Sequence, residues 1–481
     1  FRGIPYAAPP VGALRWRAPQ PAPGWAGVRP AQSFGPACPQ VLVTPTQLAP
    51  LGPTAEDCLT LNIWAPAQSA RRTRHPVMVW LHGGGFVAGS GSEAPFDGSG
   101  FARRGVVLVT INYRLGRLGF FAHPALAREA PEEAKGNYGL LDQVAALRWV
   151  RANIAAFGGD PANVTVFGES AGGMSIAALL TTPAAQGLFA KAIIQSGAIF
   201  PPDRTLANAS ADGAAWARKQ GVEGEGAAAL AALRALPVER IAPSAPPLPE
   251  LMAIMATSRP MLDGTLLRHS VVERFRQGEE APVPLLIGSN ALETRVWLFG
   301  DTLSTVAFAP EKGAALAAAM PDGKAVVAAY ARDAGGDRAK GLQRLASDAF
   351  LGAPTRWLAE RHAARAPTWL YRFDAVPAPA RGVVAGAPHG TDIFYVFGNV
   401  DRFRFHPEQV SAADRALSRR MLGLWTDFAK KGVPAPPRVW PRYGAGDKLL
   451  LVTEGGVRAA AVPHASVLSR LEADSRMENW P

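Results

Sequence analysis

The stretch 164–174 contains the residues whose types and spacing most directly suggest chemistry. It reads Val-Thr-Val-Phe-Gly-Glu-Ser-Ala-Gly-Gly-Met, so Ser170 lies in a Gly-x-Ser-x-Gly motif between a β-prone run and a helix-prone run. A serine on a tight strand-to-helix turn exposes its hydroxyl at the top of a sheet. Glycine at positions 168 and 172 fits such a turn, because side chains there would collide with the neighbouring strand and helix. An ordinary turn is the alternative, since Gly, Ser and Ala are common in this chain.

A glycine-rich segment upstream supplies a second element of chemical interest. His82-Gly83-Gly84-Gly85-Phe86 directly follows the apolar run 77–81. Three consecutive glycines allow the backbone to turn several N–H groups toward one point, as in a loop that holds a developing oxyanion. A flexible glycine loop without function is the alternative.

The elements that must position these residues have an α/β pattern. The runs 77–81 and 106–111 are wholly apolar or β-prone, as buried strands are, and 191–195 gives a further strand. Between them, 137–157 predicts a helix, with apolar residues at spacings near 3.6, namely Leu140, Val144, Leu147 and Ile154. The order predicts a doubly wound sheet with Ser170 at the carboxyl end of a strand.

Composition excludes several classes of function. The 481 residues carry a net charge of +11, but the basic residues are scattered. The densest cluster, 71–74, is interpreted as a solvated loop rather than a nucleic-acid surface. No apolar run of about 18 residues that could span a membrane is present. The histidines are dispersed and no CxxC motif occurs, so no metal site is predicted.

The two cysteines, Cys38 and Cys58, leave two possibilities open on spacing alone. A disulfide would close a proline-containing loop and stabilise the fold by roughly 3 kcal/mol, whereas two reduced thiols are common in cytosolic proteins. The sequence begins at Phe1 with neither an initiator Met nor a leader, and we expect a mature or trimmed product.

Taken together, short motifs along nearly the whole chain resemble the type-B carboxylesterase/lipase family, which includes the cholinesterases. They occupy residues 3–7, 9–12, 56–62, 82–86, 112–114, 137–143, 168–172, 195–197 and 425–429. The resemblance implies the α/β-hydrolase fold, with a large and mostly parallel central sheet that has helices on both faces. It also implies a single domain over residues 1–481, with helical insertions at about 201–280 and 300–365 that form a cap and the pocket walls.

The resemblance also implies an acid partner for the serine. Residues 285–290 are predicted to form a strand that leaves into a loop, and Glu293 follows at the family's offset for the acid. The family's usual Asp-Glu-Gly is Leu292-Glu293-Thr294 here. An exposed loop glutamate is one alternative, and Asp263 is a competing acid that is interpreted as part of a structural turn.

His389 is the base that the resemblance implies, in the Gly/Pro-rich segment 386–392. A loop of this kind can present a side chain to a cleft. Asp392 is expected either to position His389 or to cap a helix start. His82, beside the glycine loop, is interpreted as structural.

These assignments imply a serine carboxylesterase that acts by two-step acyl transfer through an acyl-enzyme on Ser170. By similarity, backbone N–H groups of Gly84, Gly85 and Ala171 form the oxyanion hole, and no cofactor or metal is needed. The resemblance further implies a Cys38–Cys58 disulfide. It also implies structural salt bridges, which pair Arg15 with Glu56 and Arg114 with Asp142.

The expected substrate is a small-molecule ester whose acyl and alcohol parts the sequence does not specify. No aromatic residue lies between the cysteines, which argues against choline esters because quaternary ammonium is bound by aromatic faces. Arg295 and the basic charge permit a second reading, an esterase for anionic polycarboxylate esters of the tricarballylate or fumonisin type. An amidase, a thioesterase and a non-catalytic adhesion protein of the same fold are further possibilities.

A disulfide favours a secreted or periplasmic location, although a cytoplasmic one stays open. A monomer is slightly favoured over an oligomer.

Overall fold

A computed structural model describes residues 1–41, 52–67, 74–299, 303–307, 311–402, 409–444 and 447–473 of the chain. Parts of two segments discussed above lie outside the described residues. They are residues 71–73 of the basic cluster and residues 42–51 of the segment between the cysteines.

The described residues form one large sheet and one small sheet. The large sheet has ten strands, in the spatial order β1-β2-β4-β3-β5-β6-β7-β10-β12-β13. These strands are β1 (Ile4–Pro5), β2 (Thr60–Trp64), β3 (His75–Leu81), β4 (Val107–Ile111), β5 (Gly159–Glu169), β6 (Lys191–Gln195), β7 (Leu285–Asn290), β10 (Thr368–Phe373), β12 (Lys448–Thr453) and β13 (Gly456–Ala461). The small sheet has the order β11-β8-β9, with β8 at Leu292–Phe299, β9 at Leu303–Ala307 and β11 at Pro388–His389.

The central strands of the large sheet, from β4 across to β12, run parallel, and antiparallel pairs occur only toward its edges. Parallel strands place their carboxyl ends at one edge, where ligands bind in doubly wound sheets. The register aligns Glu169 with Gln195 and Gln195 with Gly288, so the ends of β5, β6 and β7 lie side by side. The doubly wound α/β fold predicted from the sequence is confirmed.

Alternating side chains of the central strands pack on opposite faces of the sheet. Val77 and Val79 belong to one apolar core, whereas Met78 and Trp80 belong to a second core on the other face. All four side chains are fully buried, which explains why this strand is a continuous apolar run.

Helices cover the sheet, and their bounds are as follows. They are α1 (Ser99–Arg103), α2 (Gly116–Gly119), α3 (Pro124–Glu129), α4 (Tyr138–Asn153), α5 (Ala171–Thr181), α6 (Leu206–Lys219), α7 (Ala227–Ala235), α8 (Val238–Ile241), α9 (Leu248–Thr257), α10 (Val271–Gln277), α11 (Lys312–Ala319), α12 (Gly323–Asp333), α13 (Arg338–Ser347), α14 (Ala353–Ala363), α15 (Thr391–Val396), α16 (Ala412–Lys431) and α17 (Ala465–Ala473). A π-helical turn, Asp348–Gly352, joins α13 to α14.

The helix predicted over 137–157 is confirmed as α4 followed by a 3-10 turn, Ile154–Phe157, and its four apolar positions are buried. The segment predicted to be helical over 300–365 differs in part. It contains the strand β9 before the helices begin at α11. The physical reason is pairing between strands, since β9 pairs antiparallel with β8.

The predicted covalent and ionic links are present. Cys38 and Cys58 form a disulfide. Arg15 contacts Glu56 at 2.5 Å, and the buried Arg114 contacts Asp142 at 2.7 Å. Within the described residues, no helix is both long enough and apolar enough to cross a membrane.

Candidate active site

Ser170 lies at the junction between β5 and α5, as the motif predicts. Its φ of 53° and ψ of −122° are values that a non-glycine residue rarely adopts. A Cβ at position 172 would lie 2.0 Å from the carbonyl oxygen of Leu81, and one at position 168 would lie 2.6 Å from the same oxygen. Only glycine therefore allows α5 to begin so close to β3, and this close approach holds Ser170 in its strained conformation.

The glycine loop after β3 packs directly against this turn. A Cβ at position 83 would lie 3.2 Å from the Cβ of Ser170. Gly84 and Gly85 adopt φ values of +99° and +61°, which favour glycine. Among the described residues, no acceptor bonds the backbone N–H of Gly84, Gly85 or Ala171. Three donors beside the serine are therefore open to a ligand.

His82 anchors the start of this loop and takes no part in the His389 cluster. Its ring is buried and stacks on Tyr113, with the ring centroids 4.3 Å apart. Burial lowers the pKa of His82 to about 4, against the raising effect of the Gly83 carbonyl, so the ring is neutral at ordinary pH. This environment fits the structural role predicted for it.

His389 and Glu293 are brought together across the small sheet. The Nδ1–H of His389 donates to Oε2 of Glu293 at 2.6 Å, and Glu293 is only 1% exposed. The expectation of a loop at Glu293 is wrong, because this residue belongs to β8, which pairs with β11 at His389. Both side chains are consequently held on paired strands, which orients the imidazole more firmly than a loop would.

The other ring nitrogen of His389 faces the serine turn. Nε2 lies 3.2 Å from Oε1 of Glu169, the residue that precedes Ser170. Burial raises the pKa of Glu169 to about 8, although the positive charge of His389 opposes this rise. Burial also lowers the pKa of His389, but the charges of Glu169 and Glu293 outweigh that effect and raise it overall. The histidine thus lies between two carboxyl groups.

Asp263, the competing acid, is placed in a turn away from this cluster. Its Oδ1 accepts backbone N–H groups of Thr265, Leu266 and Leu267 at 2.8 to 3.0 Å. A carboxylate that accepts several N–H groups holds a turn in shape. The structural interpretation of Asp263 fits these bonds.

Comparison with known proteins decides the family. Residues 1–462 match the model of the family described as the carboxylesterase family. The chain belongs to the carboxylesterase family.

Individual relatives agree with this assignment. The chain is 39% identical to the fumonisin B1 esterase of Sphingopyxis macrogoltabida over 453 residues, which cover 92% of this chain and 81% of that protein. It is 37% identical to the para-nitrobenzyl esterase of Bacillus subtilis strain 168 over 483 residues, which cover 98% and 94% of the two chains. A solved structure titled PNB esterase superimposes with a TM-score of 0.80 at 36% identity, covering 98% of this chain and 95% of that one. The protein is accordingly a carboxylic ester hydrolase with the α/β-hydrolase fold.

Two residues that the sequence did not reveal complete the environment of Glu293 in this carboxylesterase. Oε1 of Glu293 accepts the hydroxyl of Ser196 at 2.6 Å and the backbone N–H of Asn290 at 2.5 Å. Ser196 directly follows β6 and Asn290 ends β7, and this place at the ends of strands was the only signal in the sequence that could have found them. These two donors bond the carboxylate oxygen of Glu293 that His389 does not contact.

Asp392 does not have the helix-capping role that was one of the two expected for it. It lies in the first turn of α15, but its side chain does not cap that helix, so the capping expectation is wrong. Instead Oδ2 accepts the Gln195 amide at 2.9 Å and the Tyr371 hydroxyl at 2.8 Å. Oδ1 lies 3.4 Å from the amide nitrogen of Asn290, which also donates to the Pro388 carbonyl. The buried aspartate therefore ties the ends of β6, β7 and β10 together beneath the histidine segment.

Proposed function

We propose that Ser170, His389 and Glu293 are the catalytic triad of this carboxylesterase, acting on carboxylic esters of small molecules. One observation carries the proposal. The imidazole of His389 donates to the buried Glu293 with Nδ1, and its Nε2 lies 3.2 Å from Oε1 of Glu169, the residue before Ser170. A carboxylate that holds Nδ1 in this way fixes the tautomer in which Nε2 can remove a serine proton.

The reaction proceeds in two acyl-transfer steps. Ser170 Oγ attacks the ester carbonyl carbon as Nε2 of His389 takes the hydroxyl proton, and the tetrahedral oxyanion accepts the N–H groups of Gly84, Gly85 and Ala171. The C–O bond to the alcohol breaks, and His389 returns the proton to the departing alkoxide. Water then attacks the acyl-enzyme by the same route and releases the acid. Each oxyanion donor contributes about 3 kcal/mol of transition-state stabilisation.

Labelling with an organophosphate tests the assignment of the nucleophile. We expect a single phosphoryl adduct on Ser170, identified by peptide mass mapping, with complete loss of p-nitrophenyl ester hydrolysis. Ser170→Ala should neither be labelled nor turn over, whereas Ser210→Ala on α6 should behave as the parent protein. Labelling at another residue, or activity retained in Ser170→Ala, contradicts the proposal. A non-catalytic adhesion relative would show no labelling at all.

The organisation of the chain is part of the proposal. We infer one catalytic domain, in which the insertions 201–280 and 300–365 form pocket walls around the serine. The position of α9 supports the first wall, because the Cε of Met255 lies 3.6 Å from where a Gly85 Cβ would stand. Contacts of α13 support the second wall, because Ser347 accepts the backbone N–H of Thr294 beside Glu293. A single calorimetric unfolding transition is expected, and two separate transitions would contradict one domain.

An esterase for anionic polycarboxylate esters is the second candidate, supported by the similarity to a fumonisin B1 esterase. Arg295, the side chain on which this candidate was based, donates to the Gln343 amide oxygen at 3.0 Å. We therefore keep neutral esters as the main proposal. Equal turnover of a p-nitrophenyl ester and a matched carboxylate-bearing ester would reject the anionic candidate, and a strong preference for the charged ester would support it.

We further propose that the protein is exported and acts as a monomer. The Cys38–Cys58 disulfide supports export, because such bonds persist in oxidising compartments. The origin of all three triad residues in one chain supports a monomer. Fractionation of the producing cells tests the first point, and light scattering of the purified protein tests the second.

A further inference from the structure

Thr391 lies just beyond His389, and its side chain turns back toward the residue before the histidine. Its hydroxyl donates to the carbonyl oxygen of Pro388 at 2.7 Å. Gly390 permits this reversal of the chain, because its φ of +77° lies in the left-handed region that favours glycine. Thr391 is completely buried, so solvent does not compete for the bond. The hydroxyl is therefore a fixed part of the histidine segment.

A tryptophan on β8 sets the direction of that hydroxyl. Trp297 is 2% exposed, and its Nε1–H donates to Oγ1 of Thr391 at 2.9 Å. An indole N–H can only donate, so it occupies a lone pair of Oγ1 and leaves the single hydroxyl proton for Pro388. The bonds thus form a directed chain from Trp297 through Thr391 to the Pro388 carbonyl. Because β8 also carries Glu293, this strand contacts the histidine segment at two places.

The Pro388 carbonyl belongs to the peptide group that carries the backbone N–H of His389. It accepts a second donor, the side-chain amide of Asn290 at the end of β7, at 2.9 Å. A peptide group whose carbonyl is bonded from two separate elements cannot rotate without breaking a hydrogen bond. Strand pairing alone constrains this peptide less, because β11 has only two residues and its register against β8 shifts between them. The side chains therefore supply part of the constraint on His389.

We propose that Thr391 is a positioning residue for His389, and that Trp297 orients its hydroxyl for this task. The two side chains hold the peptide between Pro388 and His389, and this peptide places the Cα from which the imidazole extends. Glu293 fixes the same ring from its Nδ1 side. Nε2 is thus held from two directions at the place where it must take a proton. This role rests on the function proposed above, in which His389 is the base.

Steady-state hydrolysis of p-nitrophenyl butyrate by Thr391→Val tests the role, since valine has the shape of threonine but lacks the hydroxyl. We expect kcat to fall about tenfold with little change in KM, because a misplaced base slows the chemistry and leaves substrate binding intact. Thr391→Ser keeps the hydroxyl and should recover most of the loss.

Thr368→Val is the matched control. Thr368 is also almost completely buried, and its hydroxyl donates to the Ala366 carbonyl at 3.0 Å. It begins β10, so it lies at the end of that strand opposite to the site, and kcat should be kept. A kcat of Thr391→Val within about twofold of the parent overturns the proposal, and so does an equal loss in Thr391→Ser or in Thr368→Val.

His389→Ala separates a failure of the positioning role from a failure of the proposed function. We expect this variant to lose at least about 10³ in kcat. If it does so while Thr391→Val is unchanged, the histidine is the base and only the positioning role is wrong. If His389→Ala keeps the kcat of the parent, His389 is not the base and both proposals are wrong.

Trp297→Phe tests the other bond of the chain, and it decides the proposal if thermal unfolding shows that Thr391→Val does not fold. Phenylalanine removes the N–H but keeps an aromatic ring in the core. We expect a loss of a few-fold in kcat, and the double variant should lose no more than Thr391→Val alone, because the tryptophan acts only through the hydroxyl. Fully additive losses, or an unchanged kcat in Trp297→Phe, would overturn the role of Trp297.

Discussion

Replacing Glu293 by glutamine is the sharpest test of how this site positions its base. The change alters one atom of a side chain that is almost completely buried, so the fold should be retained. Oε1 of Glu293 accepts two donors, Ser196 Oγ–H and Asn290 N–H, whereas Oε2 accepts, among the described residues, only the Nδ1–H of His389. The glutamine oxygen will occupy the Oε1 position, because only an acceptor satisfies those two donors. Its NH2 group must then face His389.

This forced orientation reverses the tautomer of the imidazole. With a donor opposite Nδ1, the ring keeps Nδ1 unprotonated and carries its proton on Nε2, the nitrogen that faces the serine turn. A protonated Nε2 cannot take the proton of Ser170. An acid-to-amide change that produces the wrong tautomer in a serine triad lowers kcat by about 10⁴. Since each tenfold loss corresponds to about 1.36 kcal/mol, the barrier should rise by about 5 kcal/mol.

The assay is steady-state hydrolysis of p-nitrophenyl butyrate, with thermal unfolding to confirm that the variant is folded. We expect kcat to fall while KM changes little, because the lost interaction acts in the transition state. Asp263→Asn is the matched control, since it also changes a buried carboxylate that accepts backbone N–H groups. Asp263→Asn should lower the stability of the protein but keep kcat within a few-fold of the parent value. Should Glu293→Gln retain kcat within about tenfold of the parent, the tautomer argument is refuted.

Three further changes probe the surroundings of the triad. Ser196→Ala removes one hydrogen bond to the Glu293 carboxylate, which should cost about 2 kcal/mol, either of the free energy of unfolding or of the transition-state stabilisation calculated from kcat/KM. Chemical denaturation and steady-state kinetics measure the two quantities. No loss in either would indicate that water replaces the hydroxyl. Glu169→Gln removes a negative charge that raises the pKa of His389. Because His389 must be unprotonated to act as the base, the acid limb of the kcat/KM–pH profile should move to lower pH. A shift of this limb to higher pH would contradict the expected sign. Replacing Cys38 and Cys58 by serine opens a loop with a sequence separation of 20 and should lower the free energy of unfolding by about 3 kcal/mol. An unchanged midpoint of chemical denaturation would contradict this expectation.

Local sequence was sufficient for the elements that are determined locally. The strands over 191–195 and 285–290 have the predicted bounds, because each contains a run of three apolar residues that is buried in the sheet. The turn at Ser170 was equally predictable, since its two glycines are required by the close approach of this turn to β3. In both cases the residues that determine the structure lie within a few positions of one another.

Features set by distant pairing could not be predicted. Leu292-Glu293-Thr294 has no local signal that separates a strand from a loop, and β8 exists because it pairs with β9 and with β11, nearly 100 residues away. The role of Ser196 depends in the same way on contact with Glu293 across 97 positions. A cavity beside α5 is likewise lined by Ala177 and Ala178 together with Leu267 and Val272, which lie far along the chain from them. No single stretch of the sequence contains both sides of these contacts.

The glycine loop connects the two properties that the proposed reaction requires of this site. Its backbone leaves N–H groups open for an oxyanion, and its close packing also covers Glu169, because a Cβ at position 83 would lie 2.8 Å from Oε2 of that residue. Burial is the largest cause that raises the pKa of Glu169 to about 8. Burial lowers the pKa of His389, but the charges of Glu169 and Glu293 outweigh this effect and raise it to about 9, so the imidazole and the Glu169 carboxyl group titrate as a coupled pair. When His389 gains the serine proton, the coupled pair can adjust, since a positive imidazole favours ionisation of the adjacent carboxyl group. The side chain next to the nucleophile thus responds to the charge that the reaction creates, and the absence of a side chain at Gly83 is what permits that arrangement.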